Sequence, residues 1–392
     1  MKNFSYLFRL IIIPAFAFIG PGLSAGTPES TLKVFRKFSE KLQSVKTISY
    51  HYTREFIYPA EDYHSKSEGE MYIDFSKEND LTGFRYQYKD ETGFSVFNNA
   101  ELFETSEEDR TIQISTKLKI SDFEGLSALY NSMITMRNML PTVIADRNMV
   151  KQVKDTLIGK KTFYLLSFQT QDMYPDYLGK AFKKTTQKII FHNKIIVDKK
   201  SFLPVSYIQL KEGSRDINRT DFSDIKLNPA APEEKSWYYS TYLKDYKEVK
   251  KESVTPISVG SPAPDFTLIQ NDTGEKVSLS NFRGHPVLLE FWIKNCSYCI
   301  NAVPELNTLN TKYRLSGLKI WGINTTDSQQ AINQFVHRQK VNYTVLLGDA
   351  AVGKNYGISA FPQVVLIDKQ GSVIYSGGLD MSVLDALISK NL

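Results

Sequence analysis

Two hydrophobic periods divide the chain. Between residues 29 and 46 the apolar residues Leu32, Val34, Phe35, Phe38, Leu42 and Val45 fall mostly on one helical face, and Ser30-Thr31 can cap the start. From about residue 48 the period drops to two. Met71, Ile73 and Phe75 share one face of a run, and aromatic and polar residues alternate from Phe84 to Lys89. Similar runs lie at 94–97, 100–105 and 111–115. Residues 121–140 read as a helix ending at Pro141, and strands resume at 150–154, 162–169, 187–197, 205–211 and 219–225. One helix, many strands, an interrupting helix and more strands predict an α+β domain. Its antiparallel sheet is strongly curved, with helices against the concave face.

The last third of the chain reads differently. Buried strands are expected at 287–292 and 318–324, then a helix at 328–339 and an extended piece at 344–347. Strands at 363–368 and 372–377 and a closing helix at 381–389 complete a mixed α/β layer domain. Between the two domains, 229–259 reads as a linker. Pro229-Ala230-Ala231-Pro232 breaks structure, and Gly260-Ser261-Pro262 follows a charged stretch. Trp237, Tyr238, Tyr239 and Tyr242 are too apolar for a free tether, so part of this segment is expected to pack as a strap.

At 392 residues, more than one domain is expected. The formal charge of +5 is small for the length and the charges are interleaved, which argues against a nucleic-acid partner. Residues 1–25 read as an export signal, with Lys2 and Arg9 before the apolar run 10–19 and Leu23-Ser24-Ala25 as the cleavage site. The run is too short to span a bilayer, which takes about 20 residues. The expectation is a protein soluble in the periplasm after cleavage of the signal, or anchored in the membrane if it is uncleaved. The organisation expected is therefore 1–25 signal, 26–228 β-rich domain, 229–259 linker and 260–392 mixed α/β domain.

Only two cysteines occur, and they form one pair, Cys296-Ser297-Tyr298-Cys299, directly after the apolar run 287–292. The ring that this pair would close is too small to staple a fold usefully. One pair supplies two ligands where a structural zinc needs four, and none of the five His lies at ligand spacing, so no metal is expected. Outside the cytoplasm such a pair can cycle between dithiol and disulfide. No cofactor beyond the sulfurs is needed. Glu290, flanked by Leu289 and Phe291, is either a buried acid with a raised pKa or a half-exposed strand residue.

The C-terminal part resembles the TlpA/ResA-like branch of the thioredoxin superfamily. The resemblance rests on motifs in order: Gly260-Ser261-Pro262-Ala263-Pro264-Asp265-Phe266-Thr267-Leu268, the Cys-x-x-Cys, Phe361-Pro362 before a strand, and Leu366-Ile367-Asp368 with Gly371. It implies a thioredoxin fold and a thiol-disulfide oxidoreductase. Cys296 would be the attacking cysteine and Cys299 the resolving one, the two forming the redox-active disulfide. Glu290 would be the buried acid that takes the proton of Cys299. Trp292, Phe361 and Pro362 would contact substrate, with the X-Pro bond cis. Ala302 stands where ResA-like proteins often carry Glu, and Asn295 where thioredoxins often carry Trp, which leaves the direction of electron flow open.

The N-terminal domain resembles LolA-like half-barrels that bind lipids and lipoproteins, most in the segment Ile196-Val197-Asp198-Lys199-Lys200-Ser201-Phe202-Leu203-Pro204-Val205. An ordinary α+β module whose aromatics fill its core fits the same pattern. The expected partners are protein disulfides, a membrane electron donor, and a lipid or lipoprotein on the N-terminal domain. A thiol peroxidase of the peroxiredoxin type shares the opening motif, but Ile293 stands where those enzymes place Thr.

Overall fold

The computed structural model describes residues 27–59, 63–76, 81–123, 126–178, 181–184, 189–250, 255–294 and 296–392. The expected signal segment and Asn295 lie outside the described residues. In chain order the first unit contains α1 (Glu29–Gln43), β1 (Thr47–Tyr58), β2 (Tyr63–Asp74), β3 (Arg85–Asp90), β4 (Phe94–Phe97), β5 (Leu102–Ser106), β6 (Thr111–Ser115), α2 (Met133–Ala145), β7 (Lys151–Ile158) and β8 (Lys161–Gln171). It continues with β9 (Met173–Pro175), β10 (Phe182–Lys184), β11 (Ile190–Asp198), β12 (Pro204–Lys211), β13 (Ile217–Leu227) and β14 (Lys247–Val249). Twelve of these strands form one sheet in the order β14-β6-β5-β4-β3-β2-β1-β13-β12-β11-β8-β7, while β9 and β10 pair as a separate hairpin. The hairpin had no signal in the sequence pattern.

Both helices lie on one face of the large sheet. Phe35, Phe38 and Leu42 of α1 and Met136, Met139, Leu140 and Val143 of α2 are buried together with Ile48, Tyr50 and Tyr52 of β1. The region expected as one helix over 121–140 is instead two 3-10 turns, Ile120–Phe123 and Ser127–Leu129, followed by α2. The correction lies at Pro141, which sits inside α2 rather than ending it. Proline has no amide proton to donate to the carbonyl four residues back. That carbonyl belongs to Arg137, and the Gln43 side chain at the end of α1 donates to it at 2.7 Å. In return, Arg137 donates to the carbonyls of Leu42 and Val45. The two helices thus satisfy each other's open backbone groups.

The opposite face of the sheet carries a strap. Trp237, in the turn Glu234–Trp237, is 1% exposed and packs with Tyr72, Val96, Phe103 and Ile112. The Arg85 guanidinium lies 4.1 Å from its ring centre. Asn98 Nδ2 donates to the Trp237 carbonyl at 2.8 Å, and Gln87 Nε2 to Ser236 Oγ at 2.9 Å. Beyond the strap, β14 joins the sheet edge parallel to β6.

The second unit contains β15 (Thr267–Gln270), β16 (Lys276–Ser278), β17 (Val287–Phe291), α3 (Ser297–Tyr313), β18 (Lys319–Asn324), α4 (Gln329–Gln339), β19 (Thr344–Leu347), α5 (Ala350–Asn355), β20 (Gln363–Ile367), β21 (Val373–Gly377) and α6 (Met381–Asn391). The sheet order is β16-β15-β19-β18-β17-β20-β21. β17, β18 and β19 are parallel, β20 is antiparallel to β17, and β21 is antiparallel to β20. Every residue of β17 is buried, because apolar clusters cover both faces of the sheet. This is a thioredoxin-type arrangement, in which a fully buried central strand delivers the chain to the start of α3. No helix among the described residues is long and apolar enough to cross a membrane.

If the strap belongs to the core of the first unit, Trp237→Ala should cost that unit about 3–5 kcal/mol, the range for large-to-small changes of a buried aromatic. The first urea transition followed by far-UV circular dichroism should move to lower denaturant. An unmoved transition would make the strap peripheral.

Candidate active site

The chain leaves β17 at Phe291, and the Trp292 amide still donates to the Ile323 carbonyl at 3.1 Å. The Lys294 amide is then held by Asp327 Oδ2 at 2.8 Å, and Asn324 Nδ2 donates to the same oxygen at 2.8 Å. These bonds fix the exit from the sheet and set Cys296 at the N-cap of α3. Its sulfur accepts from the Cys299 amide at 3.2 Å. A helix N-terminus offers unpaired amides and a positive dipole end, which favour a thiolate.

The two sulfurs differ sharply in environment. Cys296 is half-buried and Cys299 fully buried, and both are free thiols. Hydrogen bonding from the Cys299 thiol, aided by the amides of Cys299 and Tyr298, holds the Cys296 pKa below the ordinary thiol range against the opposing effect of burial. For Cys299 burial pushes the pKa up, and the hydrogen bond to Cys296, its charge and that of Glu290 push it further. At neutral pH the pair therefore holds one accessible nucleophile and one sheltered thiol.

Glu290 is 1% exposed in β17. Its Oε2 accepts from the Tyr343 hydroxyl at 2.8 Å, and Oε1 has no hydrogen-bond partner among the described residues. Burial pushes its pKa up to about 8; the Tyr343 hydrogen bond opposes that shift and the charge of Cys296 adds to it. Gly322 lies opposite Glu290 in β18. A Cβ at Gly322 would sit 3.0 Å from Trp292 Nε1 and 3.1 Å from the Tyr343 ring. The glycine therefore makes room for both rings around the carboxyl. Tyr343, Gly322 and Asp327 carried no signal in the sequence, because each matters only through a partner far away along the chain.

The Phe361-Pro362 bond is cis, and the Cys296 thiol donates to the Phe361 carbonyl at 3.5 Å. Phe361 and Pro362 are half-buried beside the sulfur. The loop ahead of them is tied by Gln363, whose side chain accepts from the Ser359 amide and donates to the Gly357 carbonyl, both at 3.4 Å. Gly357 has φ +65°, and a Cβ there would meet the Thr255 carbonyl at 2.0 Å, so the position accepts only glycine. Trp292 lies elsewhere: it is 2% exposed and stacks on Phe335 with ring centres 4.2 Å apart. A ring so buried supports the motif from beneath and is not a surface for substrate, which corrects its expected contact. Among the described residues, no group of three or more His, Cys, Asp or Glu side chains comes together as a metal site would need.

Two outcomes are expected. Iodoacetamide at pH 7 should label Cys296 well ahead of Cys299, read by peptide mass spectrometry; equal labelling would contradict the asymmetry. The second concerns Glu290, whose folded pKa of about 8 lies above its ordinary 4.5. A raised pKa gives a contribution to stability that is full below the unfolded pKa and is lost as pH rises through the folded one. The wild-type melting temperature should therefore fall between pH 5 and pH 8.5 more than that of Glu290→Gln. Parallel profiles would mean that Glu290 titrates normally.

A family model described as the AhpC/TSA family matches residues 259–376. The chain is 31% identical over 119 residues to the thiol-disulfide oxidoreductase ResA of Bacillus thuringiensis subsp. konkukian, an alignment covering 30% of this chain and 68% of the relative. The ResA of Geobacillus thermodenitrificans is 32% identical over 120 residues, again 30% of this chain and 68% of the relative. Among solved structures, the thioredoxin domain of a thiol-disulfide oxidoreductase from Bacteroides vulgatus aligns with 25% identity and a TM-score of 0.33, over 35% of this chain and 99% of that one. Through its C-terminal third, the chain belongs to the ResA-like family of thiol-disulfide oxidoreductases.

Proposed function

We propose that this oxidoreductase works as a disulfide reductase outside the cytoplasm, in the periplasm, after export by the segment 1–25. The observation that carries this reading is the asymmetric dithiol. The Cys296 sulfur accepts an amide hydrogen bond at a helix start, while Cys299 is buried within electrostatic reach of Glu290. The Cys296 thiolate attacks one sulfur of a protein disulfide, and the other substrate sulfur leaves and takes a proton. Glu290, unprotonated in a share of molecules near its pKa of about 8, accepts the Cys299 proton. The Cys299 sulfur then attacks Cys296, releasing the second substrate thiol and leaving the Cys296–Cys299 disulfide. Two electrons have passed to the substrate, and a membrane dithiol donor restores the motif. Phe361 and Pro362 would border the extended substrate.

For the first unit, the proposal is a LolA-like half-barrel that binds a partner, either a lipoprotein or lipid or the disulfide substrate itself. Its twelve-stranded sheet with two helices on one face is compatible with that reading. A thiol peroxidase is the weaker alternative, since Ile293 occupies the place of the peroxidase Thr.

Cys299→Ser should trap mixed disulfides with partner proteins, separable on non-reducing gels, and Cys296→Ser should not. Equal trapping by both would refute the assigned roles. The potential of the pair, equilibrated against glutathione and dithiothreitol, decides direction. A value near thioredoxin's, about −270 mV, fits a reductase, and one near about −120 mV makes the protein an oxidant.

A further inference from the structure

The face of the large sheet that carries α1 and α2 changes character along its length. On β1, Tyr50, Tyr52 and Arg54 point inward in strict alternation, and Phe56 and Tyr58 continue the same face. Tyr50 and Tyr52 belong to the apolar core under the helices. From Arg54 onward the lining is polar and aromatic. Arg54 donates to the Tyr130 carbonyl at 2.6 Å. The Tyr130 hydroxyl donates to Gln209 Oε1 at 3.0 Å, and Asn218 Nδ2 donates to the Tyr130 oxygen at 3.4 Å. Tyr58 donates to Asn218 Oδ1 at 2.8 Å. Ring contacts run from Tyr63 through Tyr58 and Phe56 to Tyr130, with centres 5.6 to 6.3 Å apart.

This polar end meets the redox site. Lys211, at the end of β12 and on the face of Gln209, donates to Asn301 Oδ1 of α3 at 2.9 Å. Asn301 lies one turn beyond Tyr298, one of the two residues between the cysteines. Tyr298 is 43% exposed, and Tyr174 of β9, Tyr130 and Cys296 all lie near enough to act on its hydroxyl. Tyr298 and Asn301, one turn apart on one face of α3, thus both contact the first unit next to the half-buried Cys296.

We propose that this tyrosine- and amide-lined end of the first unit is the second wall of the substrate cleft, and that it binds the polypeptide flanking the disulfide that Cys296 attacks. The inference rests on the reading of Cys296 as the nucleophile. An extended polypeptide suits the lining. Tyr58, Tyr174 and the exposed Tyr298 offer flat apolar area together with a hydroxyl, while Gln209 and Asn218 hold Tyr130 and Tyr58 in place from behind. An acyl chain would cover the Tyr174 and Tyr298 hydroxyls and the Lys211 ammonium without bonding to them, which is costly. The apolar half of the same face, where an acyl chain would be at ease, is filled by α1 and α2.

The test compares two disulfides in single-turnover reduction by the full-length reduced protein: a peptide whose disulfide is flanked by several residues on each side, and bis(2-hydroxyethyl) disulfide. The ratio of the two rate constants cancels any inactive fraction, so partial misfolding of a variant does not mimic the effect. In Tyr174→Ala and in Lys211→Ala the peptide-to-small ratio should fall about tenfold, equal to about 1.4 kcal/mol of lost peptide contact. Tyr174→Phe, which keeps the ring, should recover a large part of it. An unchanged ratio in both alanine variants overturns the inference and leaves the first unit to another ligand. A raised ratio overturns it as well, since the contact would then be a barrier. Wild-type protein that reduces neither probe overturns the dithiol reading and the inference together, whereas wild type that reduces both isolates the inference for judgement.

Discussion

The bond from the Cys299 amide to the Cys296 sulfur is the one on which the site depends. It exists because a fully buried strand ends, turns through Asp327's hold on the Lys294 amide, and starts a helix with a sulfur at its cap. Moving Cys296 by one position in either direction would take the sulfur off the cap and away from the amide. The Cys299 thiol and the amides at the helix start together stabilise a negative sulfur without any charged side chain.

The same burial that makes β17 the backbone of the domain creates the acid beneath the motif. A carboxyl with one oxygen bonded to Tyr343 and the other without a partner among the described residues is held mainly in its neutral form. Its charge and the Cys299 thiolate would repel each other, so each disfavours ionisation of the other. The arrangement keeps the resolving thiol protonated while Cys296 waits for substrate. Once Cys296 is tied up in a mixed disulfide, its negative charge is gone, and one cause of the raised pKa of both inner groups goes with it. Proton transfer between them becomes easier at the stage when resolution needs it.

What could be read from the sequence was local. The pair at 296 and 299 is four residues of chain, and the alternating faces of β1 to β3 or the apolar run of β17 announce themselves within a window of ten. Pro141 misled because its local meaning, the end of a helix, was overridden by Gln43, whose amide answers the freed Arg137 carbonyl from 94 positions away. Tyr343 and Glu290 are 53 positions apart, and Lys211 and Asn301 are 90 apart. Neither pairing leaves a periodic trace, because a single hydrogen bond constrains one residue at each end and nothing between. Trp292 shows the converse. Its position beside the motif was evident, but which way its ring turned depended on Phe335 in α4.

The continuity of one sheet face explains why the two units share a chain. β1 carries Tyr50 and Tyr52 under the helices and Phe56 and Tyr58 beyond them on the same side, so a single strand passes from closed core to a partly exposed, polar end. The transition comes at Arg54, a buried cation whose side chain donates to the carbonyls of Ala128 and Tyr130 just ahead of α2. An arginine there fixes where the apolar core must stop, since its guanidinium requires acceptors that packed aliphatic side chains do not offer. Anchoring Tyr130 through its backbone leaves its ring to meet Phe56 and its hydroxyl to bond Gln209 and Asn218. The apolar core, the polar cleft and the dithiol are therefore consecutive zones along one surface, and the position of Arg54 on β1 sets the boundary between the first two.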